Sequence, residues 1–292
     1  MKTMNISPWI QAARLKTLVA SVVPIFSAIA ILPSLNEVNL SVLMLTILAA
    51  LTIQIVTNYI NDLYDFLKGA DRNRVGPKRM LQSGLITEIQ MKKAIISLVI
   101  IGIFFGVPLA ITGGWIIVII GLSSFLFAYL YTAGPFALAY HGLGDIFVFL
   151  YFGLIAVLGS YYLQTNTINL SCVYLGFSIG CKNILLLIIN NLRDHKNDKK
   201  VNKKTLIVKF GYTIGKAYGL IILVMSYMGI LLLSFSSHNH SLLYLMVLSI
   251  PLAMNIGFDI LFKHPADLNP TLAKVSALLT LDLILLFISR IF

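Results

Sequence analysis

Long apolar runs recur from one end of this chain to the other, and a run such as Leu43 to Ile60 or Ala94 to Ile111 contains no Asp, Glu, Lys or Arg. In a helix, about 20 such residues cross a hydrocarbon core of about 30 Å. No soluble domain of this size has an interior large enough to hide run after run. The composition agrees: of 292 residues 58% are hydrophobic and 11% charged, where ordinary soluble domains carry about 25% charged residues. The solvent for most of the chain is a lipid bilayer. In lipid, backbone donors and acceptors find no partners outside their own segment, and the runs are too continuous for the alternating strands of a barrel. The expectation is an all-α integral membrane protein, a bundle of nine transmembrane helices near residues 15–35, 40–60, 93–112, 115–133, 144–163, 170–191, 216–235, 241–262 and 272–291.

The placement of positive charge tests this division, because short cytoplasmic connections hold the excess of Lys and Arg. Of the 22 such residues, all but Lys182 and Arg290 fall at the N-terminus or in the second, sixth and eighth connections. The chain therefore reads as one polytopic domain over residues 1–292 in a bacterial-type plasma (inner) membrane. Its N-terminus and two long loops, about 61–92 and 192–215, face the cytoplasm, with the C-terminus outside. Ala28-Ile29-Ala30 resembles a signal-cleavage site, but a retained first span is what makes charged and uncharged connections alternate. The net charge of +11 follows from this topology, and nucleic acid is not an expected partner. Cys172 and Cys181, nine positions apart on a helix and so separated by roughly 13 Å, are packing residues rather than a disulfide.

Eleven acidic residues are present, and five gather in two places. Asp62, Asp65 and Asp71, with Asn61, end the second span; Asp194 and Asp198, preceded by Asn190, end the sixth, and Glu88 and the remaining acids stand apart. Four-residue steps put Asn61 beside Asp65, Asn190 beside Asp194, and Asp194 beside Asp198. Asn61 and Asp65 recur as Asn190 and Asp194 at one constant spacing, although pairing Asn58 and Asp62 with the same residues serves almost as well. Carboxylates held together in a poorly screened mouth imply a cation between them. Oxygen ligands with no His or Cys nearby favour Mg²⁺ or Mn²⁺, and the surrounding lysines and arginines favour a phosphate-bearing anion, a diphosphate in particular. A solvated, charge-balanced rim is the competing reading of one cluster; two matched clusters argue against it. So does their position at helix C-termini, where the macrodipole disfavours anions.

These residues resemble the UbiA-type integral membrane prenyltransferases, nine-helix bundles with two aspartate-rich motifs on cytoplasmic loops. The resemblance covers essentially the whole chain. Within the family the chain is most similar to the branch that prenylates 1,4-dihydroxy-2-naphthoate in menaquinone biosynthesis, through NDLYDFLKGADRNRVGPKRMLQSGLIT, YTAGPFALAYHGLGDIFVFLYFGLIAVLGSYYLQT and NNLRDHKNDKKVNKKTL. The resemblance implies that Asn61, Asp65 and Asp71, with Asp62 beside them, and Asn190, Asp194 and Asp198 hold Mg²⁺ and diphosphate. It makes Arg14, Lys68, Arg72, Arg193, Lys203 and Lys204 candidates for contacting the phosphates. The chain departs from the family pattern where Gly69 stands at the usual place of a third acid, and where Val201-Asn202 replaces a small residue and Gly.

The implied reaction takes a polyprenyl diphosphate and 1,4-dihydroxy-2-naphthoate to demethylmenaquinol, CO₂ and diphosphate. Asp65 and Asp194 are its central residues. An apolar bundle suits it, since water would quench an allylic cation and aromatic rings such as Tyr129, Tyr131, Tyr161 and Tyr162 can stabilise one. Asp145 either orients a ring hydroxyl or polarises a helix entrance. Lys182 inside a span calls for a charged partner or a role with the naphthoate carboxylate; Asp259 and Asp282 are expected to find partners inside the bundle. Two other readings compete: the same chemistry on another aromatic acceptor such as 4-hydroxybenzoate, against which GPKRMLQSG speaks by resemblance, and a transporter of an anionic solute. A phosphatidyl-group transferase would need an Asp-Gly-rich signature that this sequence lacks.

Overall fold

The computed structural model describes residues 6–71 and 76–292, and every regular element among them is helical. Helix α1 (Ser7–Ala13) meets α2 (Leu15–Ala30) at a bend, where Arg14 adopts the left-handed φ of 53°. There follow α3 (Leu40–Leu67), α4 (Glu88–Leu130), α5 (Gly144–Thr165), α6 (Leu170–Lys200), α7 (Tyr212–Ser237), α8 (His240–Phe262) and α9 (Asn269–Ile288). Polar side chains start several of them. Asn39 accepts from the Val42 N–H at 3.1 Å to open α3, and Asn169 accepts from the Cys172 N–H at 3.0 Å to open α6. Thr87 and Gln90 form a reciprocal capping box on α4. On the opposite side of the bundle, Arg290 donates to the carbonyls of Ala30 and Leu32 at 2.8 and 2.6 Å, satisfying acceptors that the end of α2 leaves over.

Among the described residues, seven helices are long and apolar enough to cross a bilayer, or eight when the bent pair at the N-terminus counts as one span. This is below the expected nine because two of the expected spans share one element. The runs 93–112 and 115–133 join in the single element α4, whose 43 residues would reach about 65 Å if straight, twice the hydrocarbon thickness. The chain instead reverses at Gly114, whose φ of 69° and ψ of −160° interrupt the helix. A methyl group built on Gly102 would lie 2.6 Å from the Phe125 ring, so the two limbs of α4 lie back to back.

Helix α6 is the axis of the bundle, with 72% of its apolar window enclosed against 11% for α4. It packs on α2, α5, α7 and α9. Lipid supplies no hydrophobic drive between helices, so close backbone approach through small residues matters. Gly176 and Gly180 of α6 cross Gly153 of α5, and a methyl group on Gly153 would sit 2.5 Å from the Gly180 Cα and 2.6 Å from the Gly176 carbonyl oxygen. Backbone cannot yield as a side-chain tip can. Gly153→Val is therefore expected to destabilise the bundle by about 1–3 kcal/mol or more, read as a lower melting temperature in detergent; an unchanged melting temperature would show that the crossing can open.

Candidate active site

The last two turns of α3 carry Asn61, Asp62 and Asp65, and the segment after residue 75 returns to them. The Met80 N–H donates to Asp62 Oδ2 at 3.2 Å, which pins that segment to the helix. Arg79, buried at 8% exposure, then reaches Asp65 Oδ2 at 3.3 Å through Nη2 and Asp71 Oδ1 at 3.5 Å through Nε. From the single helical turn Leu138–His141, Tyr140 donates its hydroxyl to Asp65 Oδ1 at 2.9 Å. Burial first, and then the negative charge of Asp65, push the Tyr140 phenol well above its ordinary range, so it keeps its proton as a donor. Lys68 and Lys203 stand over the Tyr140 ring at 4.3 and 5.2 Å from its centre. Asn61 is held by the Thr132 hydroxyl, which donates to its Oδ1 at 2.6 Å.

The end of α6 forms the facing wall. Arg193 grips Asp194 with two parallel bonds of 2.9 and 2.6 Å, and its remaining nitrogen donates to Asn269 Oδ1 at 2.6 Å, which ties the grip to the start of α9. Asn197 donates to the Ala70 carbonyl at 2.8 Å and so links the two motif segments. The macrodipole cost at both helix ends is met by fixed guanidinium groups, Arg79 on one wall and Arg193 on the other.

These walls form the mouth of a cavity of about 560 Å³ that runs between α2, α3, α4, α5 and α6. Its polar end is lined by Asn61, Asp65, Asn190, Asp194 and Asp198 together with Arg14, Arg79, Arg193 and Lys203. Deeper, the lining is apolar: Ile25, Ile53 and Ala110 on one side, Ile117, Ile155 and Leu163 on the other. Val107, Val118 and Leu122 line the same space and are themselves exposed on the lipid-facing side, which opens the cavity laterally.

Several sequence candidates thus meet at one mouth: Asn61, Asp65, Asn190, Asp194, Asp198, Arg14, Arg193 and Lys203, with Tyr131 just below. Burial, with Asp145 next, pushes the Tyr131 phenol up, so it also keeps its proton. Others lie elsewhere. Asp62 and Asp71 do not line the cavity; one anchors the Met80 backbone and the other pairs with Arg79. Lys68 turns to the carbonyls of Thr132 and Gly134, and Lys204 is exposed, its N–H bound to the Tyr140 carbonyl. Arg72 lies outside the described residues.

The aromatic and intramembrane candidates are corrected most. Tyr129 is exposed and bonded to Tyr64, Tyr161 accepts from Asn169 in the packed core, and Tyr162 packs near Val42 and Leu109; none of the three lines the cavity. Asp145 accepts from the Tyr218 hydroxyl at 3.4 Å and also stays outside it. Lys182 is spoken for by Asp282 at 2.8 Å and Ser178 at 2.8 Å, because a buried ammonium is stable only beside its counter-charge. Asp259 likewise binds Lys274, Lys263 and Thr271. Arg79 and Tyr140 are the site residues that sequence reasoning missed. Arg79 was visible only as one loop charge among many, and Tyr140 only as the last letter of YTAGPFALAY.

The donor set tests whether the mouth suits a metal. Among the described residues no three His, Cys, Asp or Glu side chains converge to hold an ion unaided. The cavity lining nevertheless offers only oxygen ligands, with neither His nor Cys, and Mg²⁺ is ordinarily held by one or two carboxylates plus substrate phosphates. The residues fit a hard cation shared with a phosphate-bearing ligand.

An all-helical membrane bundle whose charged mouth opens onto an apolar chamber defines the class: an intramembrane site for an amphiphile with an anionic head. Residues 21–280 match the model of the UbiA prenyltransferase family. The chain belongs to that family. It is 33% identical over 278 residues to the 1,4-dihydroxy-2-naphthoate octaprenyltransferase of Haemophilus influenzae, covering 92% of this chain and 90% of that one. To the protein of the same name from Escherichia coli K12 it is 31% identical, covering 97% and 94%. The fold is shared with a solved UbiA homolog from Archaeoglobus fulgidus bound to GPP and Mg²⁺ (TM-score 0.72, 14% identity, 98% of this chain and 100% of that chain). It is shared too with a structure described as digeranylgeranylglyceryl phosphate synthase (TM-score 0.62, 21% identity, 98% and 97%).

Proposed function

We propose that this protein transfers a polyprenyl group from polyprenyl diphosphate to 1,4-dihydroxy-2-naphthoate, releasing CO₂ and diphosphate and giving demethylmenaquinol. The observation that carries the reading is one cavity with Asp65, Asp194 and Asp198 among guanidinium and ammonium groups at one end and an apolar, laterally open chamber at the other. The near-full-length similarity to naphthoate octaprenyltransferases supports this acceptor over 4-hydroxybenzoate, and no observation favours transport of a solute. We further place the protein in a bacterial-type plasma (inner) membrane as a single polytopic unit, with the N-terminus and mouth on the cytoplasmic side, from the distribution of Lys and Arg.

Asn61, Asp65, Asn190, Asp194 and Asp198 would hold Mg²⁺, or Mn²⁺ in its place, which when bound supplies charge neutralisation for the leaving diphosphate. Arg14, Arg79, Arg193 and Lys203 bind the remaining phosphate charge, and Tyr140 keeps Asp65 aimed. The apolar wall excludes water while the allylic C–O bond breaks. The ring carbon bearing the carboxylate then forms the new C–C bond, and the carboxylate departs as CO₂, returning its electron pair to the ring. The polyprenyl tail lies along the cavity toward the lateral opening.

Purified protein in detergent is expected to release labelled CO₂ from carboxyl-labelled 1,4-dihydroxy-2-naphthoate only when polyprenyl diphosphate and Mg²⁺ are both added, and EDTA is expected to abolish the release. Prenylation of 4-hydroxybenzoate without CO₂ release from the naphthoate would move the acceptor assignment. Transfer that persists in EDTA would remove the metal from the mechanism.

A further inference from the structure

Two turns of helix below the carboxylates, the cavity carries a second polar tier. Gln54 on α3 lies seven residues before Asn61, and Asn183 on α6 lies seven before Asn190. Each is thus roughly 10 Å deeper on the same helix face. Both line the cavity, and both are buried, at 7% and 3% exposure. Their amide nitrogens are used within the protein. Gln54 Nε2 donates to Thr17 Oγ1 at 3.4 Å, and Asn183 Nδ2 donates to the Phe152 carbonyl at 3.0 Å. Phe152 belongs to the π-helical stretch Leu150–Leu154 of α5, and a carbonyl can only accept, which fixes the orientation of the Asn183 amide.

Gln54 Oε1 and Asn183 Oδ1, in contrast, are buried and find no hydrogen-bond partner among the described residues. A buried acceptor left in this state is costly and rare. Here two occur on one cavity, at matching positions of the two helices that carry the repeated acidic motifs. What would satisfy them is a ligand that presents hydrogen-bond donors at this depth. A diphosphate has none to offer when ionised, and a polyprenyl chain has none at all.

We propose that Gln54 and Asn183 form the subsite that recognises the aromatic acceptor, taking hydrogen bonds from its phenolic O–H groups. The inference rests on the transfer reaction proposed above and names the residues that select and orient its acceptor. Amide oxygens welcome a hydroxyl and repel a carboxylate. The naphthoate carboxylate is therefore turned away from this tier, toward the guanidinium groups at the mouth, and its ring carbon faces the allylic bond that breaks. The gap between the two tiers leaves room for the bicyclic ring.

The test separates acceptor from donor. In Gln54→Met and Asn183→Leu, KM for 1,4-dihydroxy-2-naphthoate is expected to rise on the order of tenfold, while KM for polyprenyl diphosphate stays within about twofold. The Ki of 1-hydroxy-2-naphthoate, which lacks the hydroxyl remote from the carboxylate, is expected to change far less than the KM of the dihydroxy acceptor. Melting temperatures report folding, and Gln54→Met keeps the experiment decisive should loss of the Asn183 bond to Phe152 unfold α5. Transfer by the unaltered protein with an unchanged acceptor KM in the variants overturns the subsite alone, as does a parallel rise in the donor KM. Absence of transfer in the unaltered protein overturns the transfer reading and the subsite together.

Discussion

Asp65→Asn is expected to slow prenyl transfer by about 10²–10³-fold, the loss typical of removing one group that stabilises developing charge, with the protein still folded and inserted. Asp65 accepts from Tyr140 and Arg79 and lines the mouth. The carboxamide has nearly the same shape, so packing survives. What is lost is a full negative charge for the cation that accompanies the diphosphate, and Arg79 is left with Asp71 as its carboxylate partner. Asp194→Asn on the facing wall is expected to act similarly through its grip by Arg193. Turnover at saturating Mg²⁺ close to that of the unaltered protein in either variant would remove that aspartate from the site.

A comparably large effect, of a different kind, is expected from Lys182→Met. The ammonium is 1% exposed, 2.8 Å from Asp282 and 5.5 Å from the centre of the Tyr227 ring. Removing it strands the Asp282 carboxylate between α6 and α9, and breaking a buried pair in this way costs about 3–5 kcal/mol. The double variant Lys182→Met with Asp282→Leu should recover most of that loss, because it removes both charges. Thermal unfolding in detergent reads both values, and the acceptor KM of the surviving folded fraction should be unchanged. A rise in acceptor KM without loss of stability would return Lys182 to substrate binding and overturn the structural role.

The membrane class was legible because hydropathy follows from residue type alone, and the pull of Asn-x-x-x-Asp toward a helix end could be read from spacing. The register of the repeat could not be read this way. Asp62 and Asp65 are equivalent on paper as partners for Asp194, yet Asp65 lines the cavity while Asp62 faces the Met80 N–H. Pairing Asn61 and Asp65 with Asn190 and Asp194 also aligns Gln54 with Asn183, two side chains that no local pattern distinguishes from ordinary span polarity. Tyr129, Tyr131 and Tyr161 were likewise indistinguishable in sequence, and only Tyr131 reaches the cavity.

By itself, then, the sequence determined the solvent of the chain, its helical class, the two acidic ends and the oxygen chemistry between them, since each depends on residue type and on neighbours within a few positions. Only the tertiary structure decided that Arg79 and Tyr140 converge on Asp65, and that Lys182 belongs to Asp282. Those pairings join groups far apart along the chain, and a burial-driven choice among several equally suitable partners is made by packing, which sequence periodicity does not encode.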